Sequence, residues 1–243
     1  MPVTATDLAD YRGLLAEVNR LAQEDLIALW QQFEHLDPDG LWEALRLGVP
    51  EIVELYRSTA ADTAGIFYEE TQGVPFTMAE LETASQVNRK QLESSLRWAV
   101  FNPGNEAVLG LVAGIVQKHV IDGSRQYVLP AFEAAGEEWW RAARPGACAF
   151  CRMLATRSVK QWRAYTSADA ASRVQHSKGS LPKGSEFHPN CSCIPVRASE
   201  YEPPDYVEAW TAEYEAAVSM AGDDRFNTAG ILSAMRTISG NAH

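Results

Sequence analysis

Pro145-Gly146-Ala147-Cys148-Ala149-Phe150-Cys151 and, forty residues after the first of its cysteines, His188-Pro189-Asn190-Cys191-Ser192-Cys193 together hold all four cysteines of the chain. These two runs decide how the fold is read. They bracket a segment rich in Gly, Pro, Ser and basic residues, with helical patterning on either side. A C-x2-C followed by H-x2-C-x-C offers five candidate ligands, Cys148, Cys151, His188, Cys191 and Cys193, where a tetrahedral zinc ion takes four. Two intervening residues let a turn aim the sulfurs of Cys148 and Cys151 at one point. Residues one apart on an extended strand share a face, so Cys191 and Cys193 look the same way. His188 approaches from the turn before them. The residues leave two ligand sets open, four cysteines or three cysteines with the histidine. Either set closes the coordination sphere against water, which makes the site structural rather than catalytic. Structural zinc supplies on the order of 10 kcal/mol to folding, enough to order a segment this poor in apolar side chains.

The chain has 243 residues, 46% of them apolar, enough for a substantial core in one or two domains. Residues 1–10 lack the basic start and apolar stretch of a signal peptide. The best apolar window, 107–116, is short and contains Gly110 and Gly114, so no membrane span is expected. A soluble protein in a reducing cytoplasm follows as the expectation, and there paired cysteines read as metal ligands rather than disulfides. The net charge of -11 is unevenly spread. Residues 144–200 hold nine Lys/Arg and three Asp/Glu, whereas residues 1–143 hold ten and twenty-two. A basic island therefore sits between acidic flanks. It could meet nucleic-acid phosphate, or it could face acidic helices of the same molecule or a partner. The overall negative charge favours the second reading.

Outside the island the pattern is helical. Leu8, Tyr11, Leu15, Val18, Leu21, Leu29 and Phe33 follow one helix face, and Asp37-Pro38-Asp39-Gly40 breaks it. A second helix is expected from near Pro50 to Gly73-Val74-Pro75. A third opens at the capping-box pattern Thr77-Met78-Ala79-Glu80 and carries Leu81, Leu92, Leu96 and Val100 to Asn102. Residues 105–141 read as one long helix or two, with Gly123 and Pro130 as break points. Farther on, Ser167 caps a short helix through Gln175, residues 177–184 form an exposed loop, and Ile194-Pro195-Val196 suits a strand. Two helices are expected at 205–220 and 227–238. The fold class is thus mainly α: long N-terminal helices, a small zinc-bound α+β domain and C-terminal helices. The corresponding domains are 1–138, 139–200 and 201–243.

Rival chemistries find less support. A zinc deaminase needs H-x-E before its P-C-x2-C, and the nearest upstream histidine begins His119-Val120-Ile121. H-E-x-x-H is absent, as are G-x-x-x-x-G-K-[ST] and G-x-G-x-x-G. Cys148 or Cys151 acting with His176 would make a nucleophile pair, but would leave the other cysteines unexplained. His35, His176 and His243 read as solvent-facing or locally bonded. Trp139-Trp140, and Trp162 with Tyr165, read as cover for a small core rather than as base-stacking platforms. A nucleic-acid-binding zinc module would use Arg144, Arg152, Arg157, Lys160, Arg163, Arg173, Lys178 and Lys183. No catalytic residue is assigned, and no enzyme is expected.

The succession Trp140-Arg141-x2-Arg144-Pro145-Gly146-x-Cys148-x2-Cys151-Arg152-Met153-Leu154, then Tyr165-Thr166-Ser167, then Phe187-His188-Pro189-Asn190-Cys191-Ser192-Cys193 resembles the MuF-like minor head proteins of tailed bacteriophages. The form found in actinobacterial phages is the most similar. The match is sharp over about residues 139–197 and architectural elsewhere. The resemblance implies a non-enzymatic minor capsid protein in head morphogenesis, with the portal protein and major capsid protein as partners and packaged DNA as a further candidate. It implies residence in the virion, in the head interior or at the portal vertex, after assembly in the host cytoplasm. Cys148, Cys151, His188, Cys191 and Cys193 carry over as ligands of structural Zn2+, and in no other role. Some relatives are fused to toxin or protease domains, for which the 43 residues after Glu200 are too short.

Overall fold

The computed structural model describes residues 3–102, 108–160, 164–173, 187, 191–223 and 227–240, without the side chains of 169, 172 and 173. The fold is mainly α. Helix α1, Ala5–Phe33, starts at Thr4, whose hydroxyl accepts from the Asp7 N–H while the Asp7 carboxylate takes the Thr4 N–H. It buries Leu8, Tyr11, Leu15, Val18, Ala22 and Leu26 along one side. Helix α2 spans Pro38–Gln72, so the start expected near Pro50 is overturned. Asp37-Pro38 initiates rather than merely breaks. The Asp37 carboxylate accepts from the Gly40 N–H at 2.8 Å, and Pro38 occupies a first-turn position that needs no N–H. Pro50 forgoes one helical hydrogen bond inside α2, but it is buried next to Val49 and one turn from Val53, and packing outweighs the lost bond.

The third expected helix is divided into α3, Met78–Ser85, and α4, Arg89–Phe101. Gln86 turns extended, and Asn88 caps the new helix through the Gln91 N–H. Thr77 accepts from the Glu80 N–H as expected, but its own N–H donates to the Tyr127 hydroxyl instead of closing a capping box.

Helix α5, Val108–Ala134, is continuous, and neither Gly123 nor Pro130 breaks it. At Gly123 a Cβ would lie 2.4 Å from the carbonyl oxygen of Arg57, so this glycine lets α5 press against the α2 backbone. The helix expected to reach residue 141 stops earlier. Strand β1, Trp139–Ala142, runs antiparallel to β2, Ile194–Arg197, with Trp139 opposite Arg197 and Ala142 opposite Ile194. Helices α6 (Ala149–Val159), α7 (Ala168–Arg173), α8 (Asp205–Ala221) and α9 (Thr228–Ser239) follow in chain order. Ser167 caps α7 through the Ala170 N–H, as expected. The 177–184 loop lies outside the described residues.

One buried apolar cluster runs from α1, α2 and α5 through Trp139 and Trp140 to Cys151, Phe187, Cys191 and Cys193. Residues on both sides of position 138 belong to it. A smaller cluster joins Ala149 of α6 to Ala217 of α8 and Ile231, Ala234 and Met235 of α9. The chain start is tied in as well, since the Val3 N–H donates to the Glu200 carbonyl at 2.7 Å.

Candidate metal centre

Cys148 stands at the N-cap of α6 and Cys151 in its first turn, so the C-x2-C is a helix start rather than an isolated knuckle. Cys191 and Cys193 lie in the run that enters β2. The sulfurs of Cys151, Cys191 and Cys193 all fall within 4.8 Å of one another, and all three side chains are buried. Cys151 Sγ and Cys191 Sγ are 3.6 Å apart. A tetrahedron with metal–sulfur bonds of about 2.3 Å has sulfur–sulfur edges of about 3.8 Å, so the spacing fits a thiophilic ion such as zinc. None of the four cysteines is in a disulfide. Cys148 is half-buried and hydrogen-bonded to Cys151, beside the set of three. His188 lies outside the described residues.

Two of these thiols, Cys151 and Cys193, resist ionisation. The Cys151 thiol is pushed well up, first by its hydrogen bond with Cys148, then by those with Cys191 and Cys193 and by burial. Cys193 is also pushed up: the bond with Cys151 opposes the shift, and the bond with Cys191 together with burial outweighs it. A bound divalent cation inverts this balance, because it binds thiolates and releases their protons.

Two buried guanidiniums surround the cluster. Arg125, on α5, donates through Nη2 to the Cys191 carbonyl at 2.5 Å and through Nε to the Cys193 carbonyl at 3.3 Å. Its Nη1 donates to Asp122 Oδ1 at 2.9 Å. Burial works against its charge, yet Cys191 and Asp122 hold its pKa above the ordinary value. The Phe187 ring receives the guanidiniums of Arg125 at 3.9 Å and Arg141 at 4.2 Å. Three or four thiolates on a divalent ion would carry net negative charge, which these cations would compensate inside the core. Arg125 went unseen in the cysteine spacing. Its signal is an arginine on the buried side of α5, one turn from Ile121 and Val128.

The other candidates distribute differently. Trp139 is buried against Tyr165, ring centroids 4.7 Å apart, and against Phe187, which matches the core reading; Trp162 lies outside the described residues. Within the basic island, Arg152 is buried on Glu213 at 2.8 Å, Lys160 pairs with Glu215, and Arg157 lies over the Tyr165 ring. These members face α8 or the core, whereas Arg144 is exposed. Arg163, Lys178, Lys183 and the Arg173 side chain lie outside the description. His35 is exposed, and His176 and His243 are not among the described residues. His119 is buried, and its pKa is pulled down to about 4, chiefly by burial and then by Lys118. No helix among the described residues is long and apolar enough to cross a membrane.

No curated protein and no solved structure gave a match to the chain. The model of the VG15 protein family matches residues 2–217, most of the length, and the chain belongs to that family of viral proteins.

Proposed function

We propose that this chain is a structural minor capsid protein of a tailed-phage head, docked at the portal and inner capsid and held in shape by one structural zinc ion. The observation that carries the reading is the buried set Cys151, Cys191 and Cys193 cradled by Arg125 and Arg141. It fits a closed, charge-compensated thiolate site, with Cys148 or His188 as fourth ligand. Residues 139–200 then form the zinc-bound unit between helical regions 1–138 and 201–243. Membership in a viral family and the MuF-like H-P-x-C-x-C succession supply the capsid context.

No enzymatic activity is proposed. A cavity of about 220 Å3 reaches Cys191 and Cys193, and its described lining includes Arg12, Asn19, Gln117 and Arg144 but no carboxylate or imidazole to move a proton. Bound zinc would supply binding energy that orders the chain; Arg125 orients the backbone carbonyls of Cys191 and Cys193, and the aromatic cover excludes water. The test is mass spectrometry of purified virions and proheads, with affinity capture of the portal protein by the tagged chain. The reading expects the chain in both particles at low copy number and portal in the eluate. Absence from both particles, with the chain present in the infected cell, contradicts it.

A further inference from the structure

The apolar side of α1 extends past its buried line to the exposed Leu14 and Leu21. Tyr11, Leu14, Val18 and Leu21 recur at spacings of three, four and three residues, the rhythm of a helix–helix seam. Across from them on α2 stand Ile66 and Phe67. Together they line a groove of about 450 Å3 between the two helices. Its floor is the Tyr11–Phe67 stack, ring centroids 4.1 Å apart and nearly parallel. Its walls are exposed: Leu14 is 58% accessible, Ile66 55% and Leu21 38%. Large apolar side chains grouped this way mark an interaction surface.

The rim decides what fits. Asp7, Asp10, Glu17 and Glu70 line the groove, and no Lys or Arg is among the lining residues. Both cations of α1 are engaged: Arg12 donates to the Ala142 carbonyl at 3.0 Å, and Arg20 is held by Glu17 and Glu24. A second copy of this chain is a poor occupant, because residues 1–143 hold twenty-two acidic side chains against ten basic ones and the chain as a whole carries -11. We propose that the α1–α2 groove docks an amphipathic helix of a partner protein, one whose apolar stripe is flanked by Lys and Arg. The docked helix would complete a three-helix seam over Leu14, Leu21 and Ile66. This inference stands apart from the capsid reading, since the groove binds such a helix or does not whatever particle the chain joins.

The probe is a synthetic amphipathic helix of about 20 residues with leucines at seam positions and lysines beside them, and a twin with glutamates instead. Binding to the full chain is followed by fluorescence anisotropy. The lysine peptide is expected to bind, more weakly as salt rises, and the glutamate twin not to bind. Leu14→Gln with Ile66→Gln leaves the charge unchanged and should weaken binding about tenfold or more. Both sites are exposed, so the circular dichroism spectrum should not change. If that variant misfolds, Asp10→Asn with Glu70→Gln serves instead, with weaker binding expected. Equal binding by the folded variants, or by the two peptides, overturns the proposal. Dimerisation of the free chain that Leu14→Gln with Ile66→Gln abolishes also overturns it, assigning the groove to a second copy.

Discussion

Arg125 keeps a full charge in the core because its planar fork meets two loop carbonyls and one carboxylate at once. Arg125→Met removes all of these and leaves Asp122 with Lys118 as its remaining ion-pair partner. The expected loss is about 3 kcal/mol, read from urea unfolding of the metal-loaded protein. His119 makes a pH-dependent contribution of defined sign. Its folded pKa of about 4 lies below the unfolded value of about 6.5, so the folded state binds fewer protons. The stability it contributes is present above the unfolded pKa and is lost as pH falls from there towards 4. Between pH 7 and pH 5 the wild type should lose about 2 kcal/mol that a His119→Gln variant does not lose. Equal pH slopes for the two proteins would count against a buried neutral imidazole.

Among the elements, the α2–α5 crossing is where one atom matters most. Gly123→Ala drives a methyl into the Arg57 backbone carbonyl, which cannot yield as a side-chain tip could. An overpacking cost of about 3 kcal/mol is expected, seen as a lower unfolding midpoint. The sequence shows Gly123 as a break point because propensity is local, whereas its reason is a neighbour more than sixty residues away. Pro50 misleads in the same way. Strand β1 is invisible to alternation because Trp139, Trp140, Arg141 and Ala142 are all buried. Helix α6 has no apolar stripe, since its buried face includes Arg152, Thr156 and Ser158. By contrast, α1, α8 and α9 have one-sided patterns or clear caps, and their spans agree with the reading to within a few residues.

Across the whole molecule, charge and core tell one story. Two members of the basic island pair with α8, in Arg152–Glu213 and Lys160–Glu215, in keeping with its setting between acidic flanks. The cysteine cluster belongs to the same buried cluster as the long helices, and Arg125 of α5 bonds the Cys191 and Cys193 carbonyls, so a bound ion would also seat these residues on α5. Cysteine spacing makes three of the site's residues legible. The guanidinium cradle beneath them is not, because it depends on α5 arriving from elsewhere in the chain. The proposed function rests on a structural zinc ion held by these thiolates. Elemental analysis of the purified chain, before and after a chelator and with a thermal melt of each sample, tests it most directly. About one zinc ion per chain is expected, lost in Cys191→Ser with Cys193→Ser, with a large fall in melting temperature when the metal is stripped. A metal-free chain with its cysteines in disulfides and a melt indifferent to the chelator would contradict it.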